Sequence, residues 1–203
     1  MPRSPSLPRA SRATEDNVRG RLLDAADELL RTEGPDGLTV RAMAERAGCS
    51  TMGVYTHFGG KDGVVDALYV EGFRRLADAI SRVRTTADPV ADLRRCGLAY
   101  RRNALSNPTH YLVMFERIVP GFEPSPEAKA AGVGTLALLE ARISRGVELG
   151  QVIDRPDPAE LALSLWASLH GMVSLELHDA GPPTDRRRSY DDLLDLLLRA
   201  LAA

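Results

Sequence analysis

The residues best equipped for bond-making chemistry in this chain are four histidines, two cysteines and one glycine pattern, and they assemble no reactive centre. Gly132-Val-Gly134-Thr-Leu-Ala137, with Asp154 twenty residues past Gly134, has the outline of a dinucleotide-binding fingerprint. That fingerprint needs a buried strand ahead of it, whereas Glu127-Ala-Lys-Ala-Ala131 is helical and polar, and no strand-helix-strand unit surrounds it. His170, Glu176, His178 and Asp179 are near enough in sequence to weigh as metal ligands, yet an exposed helix end explains the last three more simply. No zinc-protease helix, nucleophile elbow or phosphate loop is present. The sequence therefore predicts no enzyme, no catalytic residue, no metal and no cofactor.

What remains is recognition by hydrogen bond, charge and shape, and it concentrates in residues 39 to 61, TVRAMAERAGCSTMGVYTHFGGK. Thr39 caps a short helix whose Val40, Met43, Ala44 and Ala47 recur at helical spacing and form one buried stripe. Gly48 stops it, because glycine accepts the left-handed backbone of a sharp turn, and Ser50 stands where a cap for the next helix belongs. In that second helix Val54 and Phe58 lie four apart and pack inward. Thr51, Met52, Tyr55 and His57 are left for other faces. Two short helices around a tight turn have the shape that enters a major groove.

An amphipathic helix precedes this segment, with Val18, Leu22, Ala25, Ala26, Leu29 and Leu30 on one face, then a glycine-containing break and Leu38-Thr39-Val40. Together with Ala44, Ala47-Gly48, Tyr55, Phe58 and Lys61, these roughly fifty residues from about Asn17 to Leu68 resemble the DNA-binding domain of the TetR family of bacterial transcriptional regulators. The resemblance implies that Thr51, Met52 and Gly53 face base edges while Thr39, Tyr55, His57 and Lys61 hold phosphates; base contacts specify and phosphate contacts position. Two departures stand out. Gly53 offers only backbone where many members carry a hydroxyl, and Gly59-Gly60 replaces a more common Pro or polar pair, which would loosen the joint to the following helix. A structural alternative stays open for Tyr55 and His57, as covers of the small domain's own core.

Composition sets the wider frame. With 203 residues and 44% hydrophobic content the chain can bury a sizeable core, and helix formers dominate stretches separated by Gly and Pro. An all-α fold of about nine helices is expected, divided into an arm at 1–13, a helix-turn-helix domain at 14–62 and a ligand-binding and dimerisation domain at 63–203. The net charge of −2 gives no bulk attraction to nucleic acid. The first 21 residues, with Arg3, Arg9, Arg12, Arg19 and Arg21 against Glu15 and Asp16, carry +3 and supply it locally. A flexible, solvated tail is the competing reading of that arm. Cys49 and Cys96 form no metal-type pair and suit a reducing cytoplasm; Cys49, in the reading turn, is either a small buried residue or an oxidant sensor. Pro and Arg interrupt the N-terminus before any apolar run develops, and Leu161–Leu175 is too short to span a bilayer. The expected location is the cytoplasm, with no membrane partner.

Past Lys61, apolar spacing predicts a helix to about Thr85. Asp88-Pro89 and Asn107-Pro108 each open another, Ser125-Pro126 opens a long one to about Leu149, and the last two start near Pro158 and Tyr190. Apolar residues surround most of the circumference of the penultimate helix, so it must be widely buried. Leu165, Leu169, Met172, Val173, Leu194, Leu197, Leu198 and Leu201 are the candidates for a subunit interface built as a four-helix bundle, the arrangement the TetR resemblance implies; a purely intramolecular core is the alternative. Trp166-Ala-Ser-Leu-His170-Gly171, reinforced by Asn107-Pro108 and the aromatic segment after it, resembles the tryptophan-histidine-glycine signature of one TetR-type C-terminal domain. The implied ligand pocket draws on Tyr100, Tyr111, Met114, Phe115, Trp166 and His170, with a satisfied core histidine as the rival account of His170. The functional expectation is a homodimer on a palindromic double-stranded operator, most simply a repressor released by an unidentified small, largely apolar effector. An interaction protein that kept the fold but lost DNA reading is the remaining class.

Overall fold

The computed structural model describes the backbone from residue 9 and side chains from residue 17. Its helices are α1 (Arg9–Gly37), α2 (Val40–Ala47), α3 (Thr51–Phe58), α4 (Lys61–Ser81), α5 (Pro89–Ser106), α6 (Pro108–Phe115), α7 (Pro126–Glu148), α8 (Pro158–Leu177) and α9 (Arg186–Leu201). No strand occurs among the described residues, only an isolated bridge between Val152 and Ala202. Nor is any of these helices long and apolar enough to cross a membrane. The expected basic arm lies outside the residues whose side chains are described.

Helix boundaries follow local chemistry. Asp88 and Asp157 stand before Pro89 and Pro158, and their carboxylates accept from the Ala91 amide (2.8 Å) and the Ala159 amide (3.0 Å). Proline costs nothing at the first helical position, where its missing N–H would have had no partner. Gly34, at φ 71°, breaks α1 ahead of Pro35. Asn107 ends α5 and leads into Pro108, so the His110–Phe115 segment is helical, as its spacing predicts.

By contacts the chain forms two compact units, one of residues up to Tyr69 with Leu112–Ser125, the other of Val70–Tyr111 with Pro126–Ala203. In the first, Leu22, Ala26 and Leu29 of α1 meet Met43, Val54, Val64, Val65 and Leu68 from the next three helices, all almost wholly buried. Each such aliphatic side chain contributes roughly 1.5–3 kcal/mol when removed from water. Residues 112–125, which apolar spacing alone attaches to the C-terminal half, join this core through Val113, Val119 and Phe122. Ser125 closes the segment, donating from both its amide and its hydroxyl to the Asp66 carboxylate at 2.8 Å.

The second unit packs α5, α7, α8 and α9 together. Gly97 permits the closest approach: a Cβ there would lie 2.8 Å from Leu194 Cδ1 and 3.3 Å from Leu169 Cδ1. The Tyr190 hydroxyl donates to the Gly97 carbonyl at 2.7 Å, and the Arg101 guanidinium bridges α5 to Glu176 of α8 at 2.8 Å. Buried Asp92 accepts from the Thr86 amide (2.7 Å), the Thr86 hydroxyl (2.8 Å) and Arg95, fixing the turn before α5. Burial alone would raise its pKa; the Thr86 and Arg95 bonds outweigh that and hold it below the ordinary carboxylate value.

Glu71 on α4 accepts from Arg74 Nε (2.7 Å), Arg74 Nη2 (2.8 Å) and Arg75 Nε (2.8 Å), while Arg75 also donates to Asn107 Oδ1 (2.6 Å). The Arg74 bonds, opposed by burial and helped by Arg75, bring the Glu71 pKa down to about 2 from 4.5. A folded-state pKa below the unfolded one adds stability that is complete above about pH 4.5 and is lost as pH falls towards 2. With Arg74 largely in water, screening leaves this on the order of 1 kcal/mol. Glu71→Gln is therefore expected to unfold at lower temperature than the parent at pH 7, with a clearly smaller gap at pH 3. Thermal melts followed by circular dichroism at the two pH values measure it, and a gap independent of pH contradicts the assignment.

Candidate nucleic-acid interface and effector site

Thr39 caps α2 as its position predicts, its hydroxyl oxygen accepting from the Ala42 amide at 3.1 Å. The hydroxyl proton stays available to an outside acceptor such as a phosphate oxygen. Gly48 adopts φ 63°, and its amide and that of Cys49 return to carbonyls of the last turn of α2, which aims α3. Ser50 takes the N-cap backbone conformation of α3 without a side-chain capping bond, contrary to the expectation for it. The exposed hydroxyl of Ser50 and the first amides of α3 thus form a polar end suited to an anion.

On α3 only Val54 is buried. Met52 is 67% exposed and Tyr55 54% exposed, Thr51 and Thr56 are exposed, and Gly53, His57 and Phe58 are half-buried. The outward face is therefore the pair of stripes Thr51–Tyr55 and Met52–Thr56. Thr56 belongs to it although neither the resemblance nor the apolar spacing singled it out; its four-residue separation from Met52 was the available signal. Of the two residues given a core alternative, Tyr55 points outward and His57 is divided between core and surface. Arg19 lies over the Phe58 ring at 5.1 Å and closes the side of the unit.

The joint between α3 and α4 turns on the Gly59-Gly60 pair. Gly59 (φ 74°) and Gly60 (φ 134°) adopt backbone conformations that other residues resist, and a Cβ on Gly60 would sit 3.6 Å from the Tyr55 ring. Gly63 is tighter still, since a Cβ there would fall 1.7 Å from the Phe58 carbonyl oxygen. Lys61, half-buried at the start of α4, donates to the Pro35 carbonyl at 3.4 Å, which holds its ammonium against the C-terminal end of α1. On α2 the exposed Arg41 adds a further cation, whereas Arg46 is held by Glu28 (2.9 Å) and Glu33 (3.0 Å).

In the second unit four of the six expected pocket residues come together. The Tyr100 and Tyr111 hydroxyls lie 3.1 and 2.8 Å from His170 Nδ1, and Tyr111 also reaches the His170 carbonyl at 3.2 Å. The Tyr111 ring stacks on His170 at 5.4 Å between centroids, and Trp166 flanks it at 5.2 Å, as a four-residue spacing on α8 allows. Burial, reinforced by Tyr111, raises the Tyr100 phenol far above its ordinary pKa, so Tyr100 presents a neutral hydroxyl to His170. Met114 and Phe115 belong to the other compact unit. Among the described residues no group of three or more His, Cys, Asp or Glu has the arrangement of a metal site.

The expected interface residues are mostly turned inward. Leu165, Leu169, Val173, Leu194, Leu198 and Leu201 are buried within their own chain, and Met172 and Leu197 are half-buried. Helices apolar on nearly every side hide which stripe faces the core, and the cross-packing of α5, α7, α8 and α9 takes these residues. The stripe left outside is Leu163, Ala167, Gly171 and Leu175 on α8 with Leu196 and Ala200 on α9. An open apolar groove lined by Ala167, Gly171, Met172, Leu175 and Leu193 runs along it.

Residues 22–68 match the family of bacterial regulatory proteins called tetR, and residues 93–200 match the tetracyclin repressor-like C-terminal domain. An HTH-type transcriptional regulator of Mycobacterium tuberculosis is 26% identical, over 94% of this chain and 95% of its own. Among solved structures, a protein of unknown function from Rhodococcus sp. RHA1 superposes with a TM-score of 0.80 at 25% identity, covering 92% of this chain and 96% of that one. The TetR family transcriptional regulator PfmR from Thermus thermophilus superposes with a TM-score of 0.69 at 26% identity, covering 88% and 97%.

Proposed function

The chain belongs to the tetR family of bacterial regulatory proteins and is a DNA-binding transcriptional regulator; from that premise we propose that it is a homodimeric repressor released from a palindromic operator by a small, largely apolar effector. The observation that carries this reading is the outward face of α3, with Met52 and Tyr55 bare on a helix held by the Gly48 turn and the Gly63 crossing. Two such helices, one per protomer, would enter successive major grooves about 34 Å apart. Thr51, Met52 and Gly53 read base edges in this account; Thr39, Tyr55, His57 and Lys61 hold phosphates.

Homodimerisation through the outer stripe of α8 and α9 is supported by its continuity, since Leu163, Ala167, Gly171 and Leu175 repeat every fourth residue. Effector binding is assigned to the Tyr100, Tyr111, Trp166 and His170 cluster, where aromatic side chains bring a few hydrogen-bonding groups together. Release requires the effector to bind the non-operator state more tightly; equal affinity for both states would shift nothing.

Binding of the full chain to the DNA upstream of its own gene, measured by fluorescence anisotropy across a salt series, tests the interface. Tyr55→Phe and Lys61→Ala are expected to weaken binding to every bound duplex alike. Lys61→Ala should in addition flatten the salt dependence by about one unit of slope per half-site, roughly two for the bound dimer. Unchanged affinity and slope in both variants would contradict the phosphate roles.

A further inference from the structure

We propose that the discriminating base contact of each half-site is made by the Met52 side chain against the C5 methyl group of a thymine in the major groove. The proposal rests on the DNA-binding reading above and names what that face detects. Base edges demand particular partners: Arg or Lys for guanine, Asn or Gln for adenine, Asp or Glu for cytosine, and apolar surface for the thymine methyl. From Thr51 to Phe58 the chain contains none of those six polar and charged residue types. A bidentate hydrogen-bond reader is therefore absent from α3, and what the helix does present is a thioether.

Met52 sits in the first turn of α3, the end that reaches deepest into a groove in helix-turn-helix docking. Its side chain is 67% exposed, so it adds little to the packing of its own domain. The sulfur lacks a donor and accepts only weakly, while the unbranched, polarisable chain adapts well to a methyl surface. Gly53 beside it is turned towards the α2–α3 turn, where a Cβ would lie 3.4 Å from Cys49 Sγ, so it puts no competing side chain next to Met52. Thr51 and Thr56 can bond several bases through their hydroxyls and discriminate little, though each also offers a methyl. Tyr55 lies against Gly60, towards the joint with α4.

The experiment begins with duplexes selected by the full-length chain from a random library. In each, thymines of the half-sites are replaced symmetrically by deoxyuridine, one position at a time, which removes only the methyl. One position is expected to lose about fourfold in affinity per half-site, the worth of one buried methyl. Cytosine at that position should bind more weakly than 5-methylcytosine. Met52→Ala should abolish the difference between thymine and deoxyuridine, and Met52→Leu should keep it. Selective binding that tolerates deoxyuridine at every position overturns the methyl assignment alone. Failure to select any duplex overturns the DNA reading itself, and the proposal with it.

Discussion

Replacing Leu163 and Leu196 together by arginine is expected to turn the protein into a monomer and to weaken its hold on a two-half-site duplex by roughly 10²–10⁴-fold. The two side chains are 50% and 61% exposed in the single chain, so the charges cost the isolated fold little. In a paired α8–α9 surface they would be buried without partners, which is strongly unfavourable. Losing the partner removes the second recognition helix, and each half-site contact then stands alone. Sedimentation of the variant gives its mass, and circular dichroism establishes that the helices are intact. A variant that sediments as the parent does and binds as tightly would place the interface elsewhere.

The second large effect is expected from Gly63→Val, which should abolish DNA binding through loss of the reading head. A Cβ at this position would meet the Phe58 carbonyl oxygen at 1.7 Å, and that atom belongs to the end of α3. Backbone cannot yield there without moving the recognition helix, so the cost reaches about 3 kcal/mol, the upper part of the range for overpacking. Gly20 provides the contrast, since a Cβ added in its stretch of α1 meets nothing within 4 Å. Gly20→Ala should gain up to about 1 kcal/mol from helix propensity and leave DNA binding unchanged. Thermal unfolding and operator affinity of the two variants separate the predictions. Native-like binding by Gly63→Val would mean that the α3–α4 crossing tolerates displacement.

Much of this fold is legible in the sequence because its signals are local. Thr39, Gly48 and the Asp-Pro and Asn-Pro pairs act on the residues beside them, and each marks the helix end it predicts. The outward placement of Met52 follows from the inward demand of Val54 two residues later. Long-range choices are not written that way. On α8 nearly every side is apolar, so the buried stripe containing Leu165, Leu169 and Val173 cannot be told from the exposed one containing Leu163 and Leu175 until the neighbouring helices are in place. Nothing in residues 112–125 announces that Val113, Val119 and Phe122 complete the N-terminal core. The tightness at Gly63 is equally silent, because it depends on where the preceding helix ends. Trp166 and His170 are readable as neighbours by their spacing, whereas the meeting of Tyr100 and Tyr111 on one imidazole nitrogen is a product of tertiary packing.

The central claim is that two copies of this chain grip one duplex through α3. Footprinting of the full-length protein on its selected duplex, with the protein-to-DNA ratio measured by sedimentation on the same sample, addresses it most directly. The account predicts two chains per duplex and two protected major-groove segments, related by an inverted repeat and centred about one helical turn apart. A single protected segment, one chain per duplex, or protection that Met52→Ala and Tyr55→Ala together leave intact would contradict it.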